Sequence, residues 1–250
     1  MDELELLVDL HKTGYRQGPG GDDETLQAIS LAGLDRSAPL TMADIGCGTG
    51  AATRLLARSL NAEITAVDFM QPFLEVLTAE AAREGIAAQI TTLCASMEQL
   101  PFDDETFDVI WSEGAIYNMG FAKGVAQWQR HLKPGGVLVV SEITWLTEDR
   151  PETLQTFWKS AYPEIDTASA KIKQLEETGY SPLGYFVLPE RCWLDHYYDP
   201  VHAEIEAFLD RHRGSDAARA IVEAEQQERA LYEKYKDYYS YGVYVAKKPV

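Results

Sequence analysis

Three glycines on alternate positions, Gly46, Gly48 and Gly50, follow a carboxylate, Asp44, that closes an apolar stretch. Helix-forming sequence, AATRLLARSL, starts at once at Ala51. An apolar strand that breaks into bare backbone and reopens as a helix lets a ligand lie against the main chain without meeting a Cβ. A second apolar run, EITAVD, ends at Asp68. A carboxylate at that distance accepts both hydroxyls of a ribose. The chemistry these residues suit is the holding of a nucleoside-containing cofactor.

The glycines alone admit more than one such cofactor. Gly46-x-Gly48-x-x-Ala51 satisfies the relaxed dinucleotide fingerprint, so an NAD-dependent oxidoreductase is one reading. Asp44 favours another, because its charge repels a pyrophosphate and attracts an ammonium group. Downstream stand Ser96-Met97-Glu98-Gln99-Leu100-Pro101-Phe102, then Phe107-Asp108-Val109-Ile110-Trp111, then Leu132-Lys133-Pro134-Gly135-Gly136 running into VLVVSEI. That succession resembles the class I S-adenosylmethionine-dependent methyltransferases, in their small-molecule (type 11) branch, over about positions 41–143. Arg16-Gln17-Gly18-Pro19-Gly20, Trp111-Ser112-Glu113-Gly114-Ala115-Ile116-Tyr117-Asn118 and Arg191-Cys192-Trp193-Leu194-Asp195-His196-Tyr197 are similar to segments of a group of bacterial methyltransferases of unknown substrate.

The resemblance implies S-adenosyl-L-methionine as cofactor, S-adenosyl-L-homocysteine as product, and roles for particular residues. Gly46, Cys47, Gly48 and Gly50 form the turn beneath the amino-acid end of the cofactor, with Asp44 as partner of its ammonium group. Asp68 takes the ribose, doubling as a helix N-cap, and Phe69 lies against the adenine edge. Ser96 and Met97 meet the adenine, although many family members carry an acid where Ser96 stands. Glu113 and Gly114 border the methionine portion. Tyr117 and Asn118 face the methyl group. The loop holding Arg16 and Gly18 is expected to fold over the cofactor, with Arg16 forking a carboxylate and Tyr15 reaching the methyl donor. Trp145, which follows the fifth strand, and Trp193, Cys192 and His196 are expected around the acceptor. Glu113 and His196 are the candidates for a general base, should the acceptor need one, and Tyr117 joins them as a catalytic candidate.

The activity this predicts is in-line transfer of a methyl group to a small-molecule acceptor. A non-catalytic cofactor-binding module and the NAD-dependent oxidoreductase are the alternatives. The Asn-Pro-Pro-Tyr motif of many DNA and protein amide methyltransferases is absent, and so is any Pro-Cys dipeptide. A formal charge of −18, from 40 acidic and 22 basic residues among 250, repels phosphodiester backbones and argues against nucleic acid. No run approaches the roughly 20 apolar residues of a membrane span. The acidic N-terminus lacks the basic start of a secretory signal, and three scattered cysteines, Cys47, Cys94 and Cys192, suit a reducing compartment. A cytoplasmic location is expected. The five histidines show no metal-ligand spacing, and no metal is expected.

The elements that must position these residues follow from hydrophobic period. Short continuous apolar runs at 41–45, 62–67, 89–93, 107–111 and 136–143 read as strands buried on both faces. Helical spacing occupies 51–60, 71–84 and about 121–132. The alternation predicts an α/β fold with a parallel sheet and right-handed crossovers. The family likeness makes it a Rossmann-like, seven-stranded, mostly parallel sheet with helices on both faces, the last strand antiparallel beside the fifth, and a helical cap. Leu183–Leu188 and Tyr241–Ala246 supply the late strands. One domain over 1–250 is expected: a cap and lid loop at 1–40, a core at 41–188 and 240–250, and a helical insertion at 189–239. Within the cap, a helix over 1–13 with Leu4, Leu7, Val8 and Leu10 as its apolar face precedes a helix from Asp22 to Leu34, N-capped by Asp22. Two helices are expected over 151–178, separated near Pro163. Tyr232, Tyr235 and Tyr239 are expected to share one helical face as core.

Overall fold

The computed structural model describes residues 3–250. Two helices, α1 (Glu3–His11) and α2 (Asp22–Leu31), precede the first strand, β1 (Leu40–Ile45). Strand and helix then alternate through α3 (Ala51–Ser59), β2 (Ala62–Asp68), α4 (Gln71–Arg83), β3 (Ile90–Cys94), β4 (Phe107–Ser112), α5 (Phe121–Gln129) and β5 (Leu132–Trp145). The chain continues through α6 (Glu152–Ala161), a two-residue β6 (Asp166–Thr167), α7 (Ala168–Glu177) and β7 (Ser181–Val187). A four-residue α8 (Glu190–Trp193) runs through a π turn (Leu194–Tyr198) into α9 (Asp199–Arg211), α10 (Asp216–Tyr235) and β8 (Tyr239–Lys247).

The sheet runs β3-β2-β1-β4-β5-β8-β7, with β6 paired to the end of β5. Pairings among the first five strands are parallel, and β8 inserts antiparallel between β5 and β7. The expected seven-stranded, mostly parallel sheet is therefore present, with the last strand of the chain beside the fifth. The additional β6 is too short to leave a periodic signal. Strand order reverses between β1 and β4, the place where open α/β sheets gather ligands at their carboxyl ends.

Burial on both faces explains the unbroken apolar strands. Met42, Ala43 and Ile45 of β1 have no exposed surface, and those residues divide between two cores. On one face α5 presents Phe121, Val125 and Trp128, spaced i, i+4, i+7, to Ile110, Leu132 and Leu138. The other face is covered by α1, α2, α3 and the late helices. Here Trp193 stacks on Tyr232 at 4.3 Å and on Tyr241 at 5.3 Å, and its Nε1 donates to Ser240 Oγ at 2.9 Å.

Several local expectations are corrected. In α1 the buried face is Leu6, Val8, Leu10 and His11, while Leu4 and Leu7 are exposed. That helix packs on α9 and α10 through the Leu6–Leu10 stripe, and His11 bonds Glu225 at 3.1 Å. Residues 1 and 2 of the expected helix lie outside the described residues. Gly21, extended, is the N-cap of α2, and Asp22 is its first helical residue, engaged by Tyr15 and Arg16 instead. Asp68 does not cap α4, whose N-cap is Met70; its Oδ1 accepts from the Met70 N–H at 2.8 Å, just outside the helix. Tyr232 and Tyr235 end α10, whereas Tyr239 opens β8, so the three share a core but not a helix. No helix among the described residues is long and apolar enough to cross a membrane.

Trp193→Ala removes a ring buried against two tyrosines and a hydrogen bond, and is expected to cost about 3–5 kcal/mol. A lowered urea midpoint with an unchanged slope is the expected observation; an unchanged midpoint would contradict this packing.

Candidate cofactor site

At the carboxyl ends of β1, β2 and β4 lies a cavity of about 490 Å³, within the range of small-molecule sites. The glycine turn forms its floor. Gly46, Gly48 and Gly50 all take left-handed φ values, of 75°, 56° and 83°, which side chains other than glycine rarely tolerate. A Cβ at Gly46 would strike Ala115, one at Gly48 the Gln17 side chain, and one at Gly50 Leu77. Bareness is thus demanded first by the protein's own packing. Gly46, Cys47 and Gly48 line the cavity, whereas Gly50 sits behind the floor against α4.

Four carboxylates border this space, Asp44, Asp68, Glu113 and Glu98, the last of them paired with Lys123 at 2.8 Å. Asp44 is buried at the end of β1, and Thr53 Oγ1 donates to its Oδ2 at 2.5 Å. Burial pushes the Asp44 carboxyl up to about 7, Thr53 opposes the shift, and nearby Glu113 and Asp68 add to it. Asp68 also rises through burial, offset by the backbone donors it holds. Its Oδ2 accepts from the Gly48 N–H at 2.9 Å and its Oδ1 from Met70. Each oxygen of a carboxylate has two lone-pair sites, so Asp68 keeps acceptor capacity for a hydroxyl beside its backbone donors. Burial, with Asp44 and Asp68 close by, pushes the Cys47 thiol well up, so it stays protonated and is no nucleophile.

Glu113, at the end of β4, is more fully committed than its expected role as a base allows. Its Oε1 accepts from Thr25 Oγ1 at 2.7 Å and Trp111 Nε1 at 2.9 Å, and its Oε2 from Arg16 Nη1 at 2.7 Å. Arg16 in turn donates Nη2 to Asp22 Oδ1 at 3.0 Å. Its fork is spent on protein carboxylates rather than left open for a ligand's, although the residue borders the cavity. Glu113 therefore fastens the loop over 14–21 to the sheet. Gln17 fastens it again: its Oε1 accepts from the Thr49 N–H at 2.8 Å, and its Nε2 donates to Gly14 O at 3.0 Å. Gln17 stands in the Arg16–Gly20 segment singled out by resemblance but was given no role, since a lone amide in a Gly/Pro-rich loop has no telling spacing.

The remaining expected residues divide cleanly. Gly18, Phe69, Ser96, Met97, Gly114, Tyr117 and Asn118 all line the cavity. The Gly114 N–H donates to Ser141 Oγ at 2.7 Å, and Trp128 Nε1 donates to Met97 O at 3.2 Å, which sets both loops. Tyr15, Trp145, Trp193 and His196 lie outside the lining. The Tyr15 hydroxyl bonds Asp22, with the Arg54 guanidinium 5.1 Å over the ring. Trp145 is buried edge-on to Tyr239 at 6.4 Å, with Arg150 over its ring. His196 donates Nδ1–H to Gly20 O at 2.8 Å, since a carbonyl can only accept, and so anchors the end of the loop. Cys192, also expected near the acceptor, is fully buried in the core. Pro19, Val67, Met70 and Phe73 line the cavity without having been singled out by sequence. No group of three or more His, Cys, Asp or Glu side chains among the described residues could hold a metal ion.

Residues 43–140 match the family model described as "Methyltransferase domain". Residues 43–140 are thus similar to methyltransferase domains. The chain is similar to the malonyl-[acyl-carrier protein] O-methyltransferase of Herminiimonas arsenicoxydans, with 37% identity over 119 residues, 47% of this chain and 43% of that protein. It is also similar to the dimethylglycine N-methyltransferase of Parasynechococcus marenigrum, with 34% identity over 143 residues, 55% of this chain and 50% of the relative. The chain thus spans about half the length of these two curated relatives. A SAM-dependent methyltransferase from Geobacter sulfurreducens, solved with S-adenosyl-L-homocysteine, superposes with a TM-score of 0.84 at 17% identity, covering 97% of each chain. That likeness is one of fold. Residues 43–140 supply every lining residue of the cavity except Arg16, Gln17, Gly18 and Pro19, which come from the loop over 14–21.

The raised carboxyls give a pH signature. Asp44 and Glu142 both reach about 7 when folded, against ordinary values of 3.8 and 4.5, so between those limits the folded chain binds protons that the unfolded chain releases. Stability is then greatest at the acid end and is lost as pH rises through about 7. The thermal midpoint of the ligand-free protein is expected to fall between pH 5 and 8, with a shallower fall in Asp44→Asn. A profile identical in the variant would contradict the Asp44 assignment.

Proposed function

We propose that this chain is an S-adenosylmethionine-dependent methyltransferase acting on a small-molecule acceptor. The observation that carries the reading is the pair Asp44 and Asp68 on either side of a glycine floor, at the switch point of the sheet. Asp44 suits an ammonium group and the remaining acceptor capacity of Asp68 suits a vicinal diol. The adenine end falls to Phe69, Ser96 and Met97, and the methionine end to Gly114 and the turn at 46–48. A dinucleotide fits less well, because Asp44 and Asp68 stand where its pyrophosphate would approach the glycines. One domain over 1–250 suits this reading, with the helical parts outside the core closing the site.

When bound, the cofactor supplies a methyl group carried on a sulfonium. The chain's task is to hold the acceptor in line with it and exclude water, and near-attack alignment of that kind lowers barriers substantially. The strap over 14–21 does the excluding: Arg16 and Gln17 tie it to β4 and to the turn, and His196 holds its far end. His196 lies outside the cavity lining, and Glu113 is held by three donors, one of them the Arg16 guanidinium, so both are positioning residues. Of the catalytic candidates Tyr117 alone keeps an exposed flank on the cavity, with 41% of its surface accessible. Catalysis then rests on orientation and on the polarity of the acceptor end more than on proton abstraction.

Asp68→Ala is expected to weaken S-adenosylhomocysteine binding by more than about 1 kcal/mol, the scale of a hydrogen bond to a charged group. Calorimetric titration measures this, and an unchanged affinity would falsify the ribose assignment. Incubation of the protein with methyl-labelled cofactor and a metabolite extract, read by mass spectrometry, is expected to yield a labelled product absent from the heat-killed control.

A further inference from the structure

Asp44 depends on a residue to which neither the sequence pattern nor the cavity lining gives a role. It ends β1 with 1% of its surface accessible, yet it borders the cavity. Its Oδ2 accepts from Thr53 Oγ1 at 2.5 Å. Thr53 stands in the first turn of α3, is fully buried, and lies outside the lining. A threonine in a helix commonly turns its hydroxyl onto the carbonyl three or four residues earlier. Here the one O–H reaches nine residues back instead, across the glycine turn, to a carboxylate.

The charges around Asp44 give that bond its weight. Asp68 from β2 and Glu113 from β4 oppose ionisation, and the Cys47 thiol of the turn is neutral. Arg16 attracts the charge from the strap, but its guanidinium is bonded to Glu113 and Asp22. Burial pushes the Asp44 carboxyl up to about 7, and the Thr53 hydroxyl opposes that rise more than Arg16 does. A neutral donor favours the ionised carboxylate without cancelling its charge, which stays available to a cationic ligand. Branching at Cβ restricts the threonine rotamer and so fixes where the hydroxyl points.

We infer that Thr53 is a positioning residue whose hydroxyl holds the Asp44 carboxylate in the orientation that receives the cofactor's ammonium group. This rests on the methyl-transfer reading and adds to it a residue that acts only through Asp44. On the acid side Asp44 must lose its proton before it can pair with an ammonium. Affinity for such a ligand therefore rises with pH through about 7. Without the hydroxyl the neutral acid is favoured further, and the rise moves to higher pH.

Two ligands separate the ammonium from the rest of the cofactor. S-adenosylhomocysteine carries it; 5′-methylthioadenosine keeps the adenosine and the sulfur but lacks the amino-acid end. Both are titrated calorimetrically into the protein at pH values on either side of about 7. Titration of Asp68, which faces the ribose of both, drops out of their ratio. In Thr53→Val, S-adenosylhomocysteine is expected to bind about tenfold more weakly at neutral pH, the scale of a hydrogen bond to a charged group. Its pH profile is expected to move upward, while methylthioadenosine stays within about twofold, as for uncoupled sites. Thr53→Ala, which removes the hydroxyl without adding a methyl, is expected to show the same difference between ligands. Thr53→Ser is expected to restore both affinity and profile.

In an Asp44→Asn background Thr53→Val is expected to add no further loss. Equal losses for the two ligands, an unmoved profile, or a full additional loss in that background overturns the inference. Wild-type protein that binds both ligands while Thr53→Val and Thr53→Ala weaken both alike removes only the role of Thr53. Wild-type protein that binds neither ligand removes the cofactor reading beneath it.

Discussion

Negative charge crowded at the carboxyl ends of β1, β2 and β4 is the constraint around which the molecule is arranged. Asp44, Asp68 and Glu113 converge on one cavity, and Arg16 is the cation among its lining residues. Glu113 takes that cation together with Thr25 and Trp111, so it is satisfied. Asp44 is left with a threonine, and its carboxyl rises toward neutrality as burial requires. Asp44 is thus held by a hydrogen bond rather than by an ion pair. The sheet core is correspondingly rigid, with apolar strands buried on both faces, because the cost of holding the site open must be met elsewhere.

The second organising feature is the strap over 14–21. It is not a lid resting on a finished pocket. Gln17 fills the space above Gly48 and bonds Thr49, Arg16 reaches the end of β4, and the Gly20 carbonyl is held by His196. Floor and roof are therefore parts of one hydrogen-bonded assembly. The absence of a Cβ at Gly48 serves the strap as directly as it serves any ligand.

Much of this was legible in the chain. The apolar runs marked β1 to β5 to within a few residues, because strands buried on both faces leave uninterrupted hydrophobic signals. The glycine turn, Asp44, Asp68 and the segments at 96–97 and 113–118 fell where strand ends placed them. What failed depended on side-chain direction across long sequence separation. Trp145 and Trp193 are large aromatics beside the expected site, yet each turns to Tyr239 and its neighbours in the core. Glu113 reads in sequence as a free acid, and only the fold brings Thr25, Trp111 and Arg16 onto it. Gln17 has no telling spacing, and the face of α1 is chosen by the helices that cover it.

The anchorage of Gly20 bears on how the protein is made. Its N–H donates to Cys192 O, its carbonyl accepts from His196, and the nearby Glu24 pairs with Arg191. The strap thus waits for partners that leave the ribosome about 170 residues after it. Until then the nascent domain has a floor and no roof, and tight retention of a nucleoside waits on the segment that carries Cys192 and His196.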